Sequence, residues 1–294
     1  MVSEGKIVKA LSGFYYVMSE NVVYQCRARG VFRKRKITPY VGDIVQFEKN
    51  NQREGYILDI LPRKNELIRP PIANVDQALV VVSVKEPDVS LQLLDKFLVH
   101  VEANDIDPVV CFTKMDLLSE KERKDFEEIV QIYRAIGYPV LLLSIKDEKS
   151  VDAVKPYLKD KITVVAGQSG VGKSSLLNAL EPSLQIATNA ISTHLGRGRH
   201  TTRHVELMSV AGGLVADTPG FSSLDLSRFE EQELSMFFPE MKRLGSQCKF
   251  RGCTHLAEPQ CAVKSALEAG EIAQSRYKHY ETFYNEIKET KRRY

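Results

Sequence analysis

Over the first 64 residues, apolar and polar positions alternate in short runs separated by polar turns, at 5–11, 14–19, 22–28, 43–48 and 54–61. Period-2 alternation turns one face of each run inward, so five such strands in about 60 residues predict a small closed β-barrel. Pro62, Pro70 and Pro71 then mark a joint. Beyond it the pattern changes. Residues 77–84 are continuously apolar, 91–103 follow a helical period, and further apolar runs lie at 108–112, 139–143, 162–166 and 214–216. Alternating with helical segments such as 120–136, they predict a parallel sheet covered on both faces, with any ligand at the carboxyl ends of the strands. From about Leu226 the chain is polar and mostly helical in pattern. There Tyr277, Tyr280, Phe283, Tyr284 and Ile287 recur at helical spacing, as a packed helix face would. The expected division is therefore 1–64, 65–225 and 226–294.

Charge sharpens this division. The net charge of +3 resolves into about +6 over residues 1–64, about −5 over 65–225 and about +2 over the rest. The barrel's excess is concentrated between its third and fourth strands, in Arg27, Arg29, Arg33, Lys34, Arg35 and Lys36 around Phe32. A basic loop on a barrel whose Val41-Gly42-Asp43-Ile44-Val45 step resembles an OB-fold points to RNA contact; Phe32 either stacks on a base or anchors the loop. No stretch has the run of about 18 apolar residues that a membrane span needs, and the amino terminus lacks a signal-peptide core. The expectation is a cytoplasmic protein with no membrane partner. Five cysteines argue against a disulfide framework. Cys26 and Cys111 lie in strand patterns and read as small core residues.

Candidate chemistry is densest at Gly167-Gln168-Ser169-Gly170-Val171-Gly172-Lys173-Ser174, a complete G-x-x-x-x-G-K-S between an apolar strand and a helical start at Ser175. Its glycines allow a nest of N–H groups that cradles phosphates. Lys173 would reach the β- and γ-phosphates, and the Ser174 hydroxyl would ligate Mg²⁺. Thr113-Lys114-Met115-Asp116 follows the strand at 108–112. The Asp116 carboxylate can accept from both guanine N–H groups, a paired contact that adenine cannot make, and Lys114 would lie along the base. Ser144-Ile145-Lys146 suits the guanine O6 edge. Asp217-Thr218-Pro219-Gly220 is placed to hold Mg²⁺ through water and to sense the γ-phosphate. Between the phosphate loop and this motif, the glycine-rich basic stretch from Gly196 to Arg203 reads as a mobile segment. A threonine there, Thr202 rather than Thr201, would join the Mg²⁺ shell.

A second cluster, Cys248, Cys253, His255 and Cys261, spaced C-x4-C-x-H-x5-C, offers three thiolates and an imidazole. That is a closed tetrahedral set for one structural Zn²⁺.

The order of the nucleotide motifs is unusual, because the guanine elements precede the phosphate loop. A sheet with adjacent termini tolerates such a cyclic shift. Barrel, T-K-M-D, G-Q-S-G-V-G-K-S-S-L-L-N, G-R-G-R-H-T-T, D-T-P-G-F and cysteine module together resemble the bacterial circularly permuted GTPases that depend on the small ribosomal subunit. The resemblance covers essentially the whole chain. It implies a GTPase that binds the small subunit and its 16S rRNA late in assembly, hydrolyses GTP faster there than alone, binds guanosine tetraphosphate competitively, and works as a monomer. Phe221 follows the D-x-x-G where a glutamine would orient water. His200 matches the family position proposed for that role, and as a lone histidine it reads equally as an RNA contact or a spectator. Two alternatives are an RNA-binding assembly protein that holds guanine nucleotide with negligible turnover, and a permuted GTPase acting on the large subunit.

Overall fold

The computed structural model describes residues 2–30, 32, 37–51, 53–68, 70–186, 205–216 and 224–292. The amino-terminal strands are β1 (Val2–Leu11), β2 (Phe14–Ser19), β3 (Val22–Ala28), β4 (Ile44–Lys49) and β5 (Glu54–Ile60). They close into a barrel in the order β1-β2-β3-β5-β4. Their inward positions, among them Ile7, Val17, Cys26, Val45, Phe47 and Ile57, are fully buried, as period-2 patterning requires. Phe32 is also buried in this core, so it anchors the basic loop rather than presenting a stacking face. Of that loop, residues 31 and 33–36 lie outside the described residues.

The proline-marked joint is more ordered than its composition predicts. It carries a two-stranded ladder, β6 (Glu66–Ile68) with β7 (Pro71–Ala73), that packs against the barrel. Gly42, at φ +91°, passes so close that a Cβ there would sit 2.0 Å from the Ala73 carbonyl oxygen. Next to it the buried Asp43 accepts from Arg63 Nε at 2.8 Å and from the Tyr40 amide at 2.7 Å. This double anchorage ties the barrel to the joint.

The central sheet holds β8 (Gln77–Ser83), β9 (Asp107–Thr113), β10 (Val140–Leu142), β11 (Ile162–Ala166), β12 (Leu207–Val210) and β13 (Gly213–Ala216), in the order β10-β9-β8-β11-β13-β12. Five strands are parallel, and β12 runs antiparallel along the edge beside β13. The sequence pattern predicts parallel pairing alone; β12 is only four residues long, too short for a period to announce it. Ala78, Val80, Val110, Phe112 and Val164 face one core, which also takes α1 (Leu91–Glu102) and α2 (Glu120–Ile136). Leu79, Val81, Val109, Cys111 and Val165 face the other, with α3 (Glu148–Asp152), α4 (Lys155–Leu158) and α5 (Lys173–Leu180). Burial pushes the Cys26 thiol up to about 11 and that of Cys111 up to about 12, which leaves both inert.

The carboxyl-terminal module contains α6 (Pro239–Gly245), α7 (Ala262–Glu268) and α8 (Gln274–Arg292) around its own core. The aromatic stripe of α8 is buried there, as its spacing predicts. Val99 of α1 packs into the same core. A buried polar network completes the junction. Asp95 of α1 accepts from Tyr133 Oη at 2.9 Å, lies 2.5 Å from His279 Nδ1, and pairs at 2.6 Å with Arg276, which also donates to Glu240 at 2.7 Å. Burial opposes the charge on Arg276, but the two carboxylates outweigh it and push its pKa well up. Among the described residues, no helix is long and apolar enough to cross a membrane.

Candidate nucleotide pocket and metal centre

The loop from Gly167 to Gly172 joins β11 to α5, and its backbone accounts for its glycines. Gly167, Gly170 and Gly172 have φ of +143°, +82° and +97°. A Cβ on Gly167 would lie 2.2 Å from the Val81 carbonyl oxygen, so only glycine lets the loop press against β8. Gln168, Ser169 and Gly170 are exposed, and Ser174 and Ser175 are half-buried in the first turn of α5. The Lys173 ammonium donates to the Gly167 and Gln168 carbonyls, each at 2.8 Å, and so lies across the loop it would serve. Val171 turns its side chain into the core, leaving only its backbone for a ligand.

Two strands away, the guanine motifs meet. Lys114 sits in the left-handed region at φ +61°, and a short 3₁₀ turn, Met115–Leu117, follows it. The Asp116 carboxylate accepts from Ser144 Oγ at 2.7 Å and pairs with Lys146 Nζ at 2.6 Å. Lys146, and then Ser144, hold its pKa below the usual range, so it stays an ionised acceptor. Residues 28 positions apart are thus brought together because β9 and β10 are neighbours in register. Thr113 links this motif to the phosphate loop. It is buried, and its hydroxyl donates to the Val171 carbonyl at 2.6 Å and to Val82 at 3.3 Å. It braces the phosphate loop against the guanine side. His200, Thr202, Asp217, Gly220 and Phe221 lie outside the described residues.

Sequence reasoning missed three supports of this pocket. Ser150 accepts from the Ser144 amide at 3.0 Å and donates to its carbonyl at 2.9 Å. The Glu86 carbonyl accepts from Lys114, and Ser83 Oγ donates to the Pro87 carbonyl at 2.5 Å. None carries a pattern of its own, since serines and carbonyls are informative only once the loops are placed.

In the carboxyl-terminal module, the ligand atoms of Cys248, Cys253, His255 and Cys261 all lie within 4.8 Å of one another. His255 Nδ1 is 3.6 Å from Cys248 Sγ and 3.3 Å from Cys261 Sγ, and the two sulfurs are 3.9 Å apart. Zn–S and Zn–N bonds of tetrahedral zinc imply edges of roughly 3.5–3.8 Å, so the donor set fits zinc in spacing and softness. The turn is braced from outside. Tyr277 Oη donates to the His255 carbonyl at 2.7 Å and Tyr280 Oη to that of Thr254 at 2.6 Å. Burial raises the pKa of Glu258, but bonds from Thr254 and Leu256 overcome it and hold the carboxyl at about 2.

Residues 4–57 match the model of the RsgA N-terminal domain and residues 60–227 that of the RsgA GTPase. The chain belongs to the RsgA GTPase family. It is 59% identical over 291 residues to a Bacillus cytotoxicus protein named small ribosomal subunit biogenesis GTPase RsgA, covering 99% of each chain. A protein of the same name from Bacillus subtilis strain 168 is 58% identical over 296 residues, again covering 99% of each. Among solved structures it superimposes on YloQ, a circularly permuted GTPase, with TM-score 0.86 and 53% identity, covering 99% of this chain and 96% of the other. On YjeQ from Thermotoga maritima the TM-score is 0.87 at 39% identity, covering 98% and 99%. Membership of the RsgA GTPase family makes the chain a GTP-hydrolysing enzyme and implies guanine nucleotide and Mg²⁺. Its architecture agrees: an OB-like barrel, a permuted GTPase domain and a cysteine-rich module with the makings of a zinc site.

Proposed function

We propose that the chain binds the small (30S) ribosomal subunit late in its maturation and hydrolyses GTP in response, slowly alone and faster on the subunit. The observation that carries the nucleotide half is the convergence of Asp116, Ser144 and Lys146, two strands from a glycine loop that only glycine can form, despite their cyclically shifted order in the chain. The partner half is supported by the names of relatives at 58–59% identity. No observation favours the large subunit or a nucleotide-holding role without turnover.

In this reading Asp116 selects guanine, exchanging Lys146 for the two N–H groups of the base. Gly167, Gln168, Ser169, Gly170, Val171 and Gly172 present backbone N–H groups to the phosphates, with Ser175 behind them. Lys173 leaves its carbonyl partners to neutralise the β- and γ-phosphates. Ser174 and Thr202 would hold Mg²⁺, with Asp217 reaching it through water; the ion when bound offsets charge on the phosphates, and the Gly220 N–H would sense the γ-phosphate. His200 would orient the attacking water in place of the residue at Phe221. Guanosine tetraphosphate offers the same base and 5′-diphosphate and would compete at this pocket. The basic barrel loop would meet 16S rRNA, one Zn²⁺ would hold the carboxyl-terminal module, and the protein would act as a cytoplasmic monomer with domains at 1–64, 65–225 and 226–294.

The test is multiple-turnover GTP hydrolysis by the purified protein alone, with small subunits and with large subunits. Stimulation by small subunits alone is expected. Equal slow turnover in all three would overturn the switch mechanism, and stimulation by large subunits would overturn the partner. His200→Ala is expected to lower the stimulated rate by about 100-fold while leaving nucleotide affinity unchanged.

A further inference from the structure

In the turn from Ser144 to Asp147, backbone N–H groups find acceptors at every position but one. The Ser144 amide donates to Ser150 Oγ at 3.0 Å, that of Lys146 to Ser144 Oγ at 3.2 Å, and that of Asp147 to the Ser144 carbonyl at 3.0 Å. The Ile145 amide has no acceptor among the described residues, and Ile145 is 57% exposed. An unpaired N–H at a pocket rim is a donor waiting for a carbonyl oxygen. Asp116 beside it is the acceptor for the N–H groups of guanine, and O6 is the next atom along the same edge of that base.

The turn has no apolar anchor of its own. Residues 145–149 are all exposed, so packing does not set where that N–H stands. Ser150 does. Its hydroxyl accepts from the Ser144 amide and lies 2.9 Å from the Ser144 carbonyl and 2.8 Å from that of Asp147, so one side chain grips both ends of the turn. Ser150 is itself fixed, because it belongs to α3, whose next residue Val151 is buried in the core under the sheet. The same helix packs against α5, which starts at the phosphate loop. The grip also reaches Asp116, since Ser144 Oγ donates to its carboxylate at 2.7 Å.

We infer that Ser150 is a positioning residue for base selection: its hydroxyl holds the turn so that the Ile145 N–H meets guanine O6. This deepens the guanine reading of the pocket, on which it rests. Because the turn is fixed before the base arrives, little ordering entropy opposes the contact.

The experiment is competition titration of the full chain with GDP, ADP and 6-thioguanosine diphosphate, in which sulfur replaces O6 alone. Ser150→Ala should weaken GDP binding by about tenfold. It should weaken the thio analogue by less than about twofold, because sulfur is a poor acceptor and leaves little contact to lose. Ser150→Thr keeps the hydroxyl and should restore GDP binding, whereas Ser150→Val, of the same shape, should not. That pair isolates the hydroxyl whatever the alanine variant does to folding. Wild-type GDP affinity in Ser150→Ala and Ser150→Val would overturn the inference. So would equal weakening of GDP and the thio analogue in Ser150→Val with Ser150→Thr intact, because the hydroxyl would then support the pocket without serving O6. Selective loss of GDP in Ser150→Val, with Asp116→Asn keeping the wild-type preference for GDP over ADP, would uphold Ser150 and contradict Asp116 as the selector of guanine instead.

Discussion

The nucleotide pocket and the zinc turn each bring a few chemical groups to one point, by opposite means. In the pocket, Asp116 and Ser144 come from different strand ends, and the phosphate loop from a third. A sheet with a core on each face fixes all three. The zinc ligands fall within 14 positions, and from the end of α6 at Gly245 to the start of α7 at Ala262 the backbone is only turns and bends. One site is held by the hydrophobic effect acting at a distance. The other needs its metal and a few braces, Tyr277, Tyr280 and Glu258, to be a site at all.

The largest expected effect breaks the zinc turn alone. Cys253→Ser should drop zinc from one per chain toward none and unfold the carboxyl-terminal module, since structural zinc contributes on the order of 10 kcal/mol in small metal-folded units. Metal analysis with limited proteolysis reads this out. Unchanged zinc content would remove Cys253 from the ligand set.

Next in size is the junction between the two regions. Arg276→Leu leaves Asp95 and Glu240 buried without their cation and should cost about 3–5 kcal/mol in urea unfolding. A loss under 1 kcal/mol would mean that the network carries little of the docking. On the pocket side, Asp116→Asn should weaken GDP binding by about 100-fold, about 3 kcal/mol, and narrow its preference over ADP, as competition titrations would measure.

The smallest effect near neutral pH is a pH dependence. Burial, and then the Arg228 guanidinium 2.7 Å away, push His100 down to about 4. Below its ordinary value near 6.5 the unfolded chain takes up a proton that the folded chain refuses. Stability is therefore full above about pH 6.5 and falls by up to about 3 kcal/mol as pH drops toward 4. Thermal melts across that range should show the slope, and His100→Phe should flatten it.

Legibility followed the same contrast. The zinc ligands were readable because metal spacing is local, and the phosphate loop because its glycines answer a backbone demand, seen in Gly167 against Val81. The convergence of Asp116 with Ser144 was readable only through strand-end placement. Asp95 was not readable at all. It is one acid on an otherwise apolar helix face, and its partners Arg276 and His279 lie far along the chain. Nor did Thr113 reveal its bracing role, because a hydroxyl's partner depends on which carbonyl the fold brings within reach.

The most direct test of this two-region account is guanine-nucleotide binding by the full chain before and after zinc is stripped, with small-subunit binding followed in parallel. The account predicts that GDP affinity and its preference over ADP survive removal of the metal while subunit binding weakens by at least tenfold. Loss of GDP binding together with zinc would contradict it, because the pocket would then depend on the module it is argued to stand apart from.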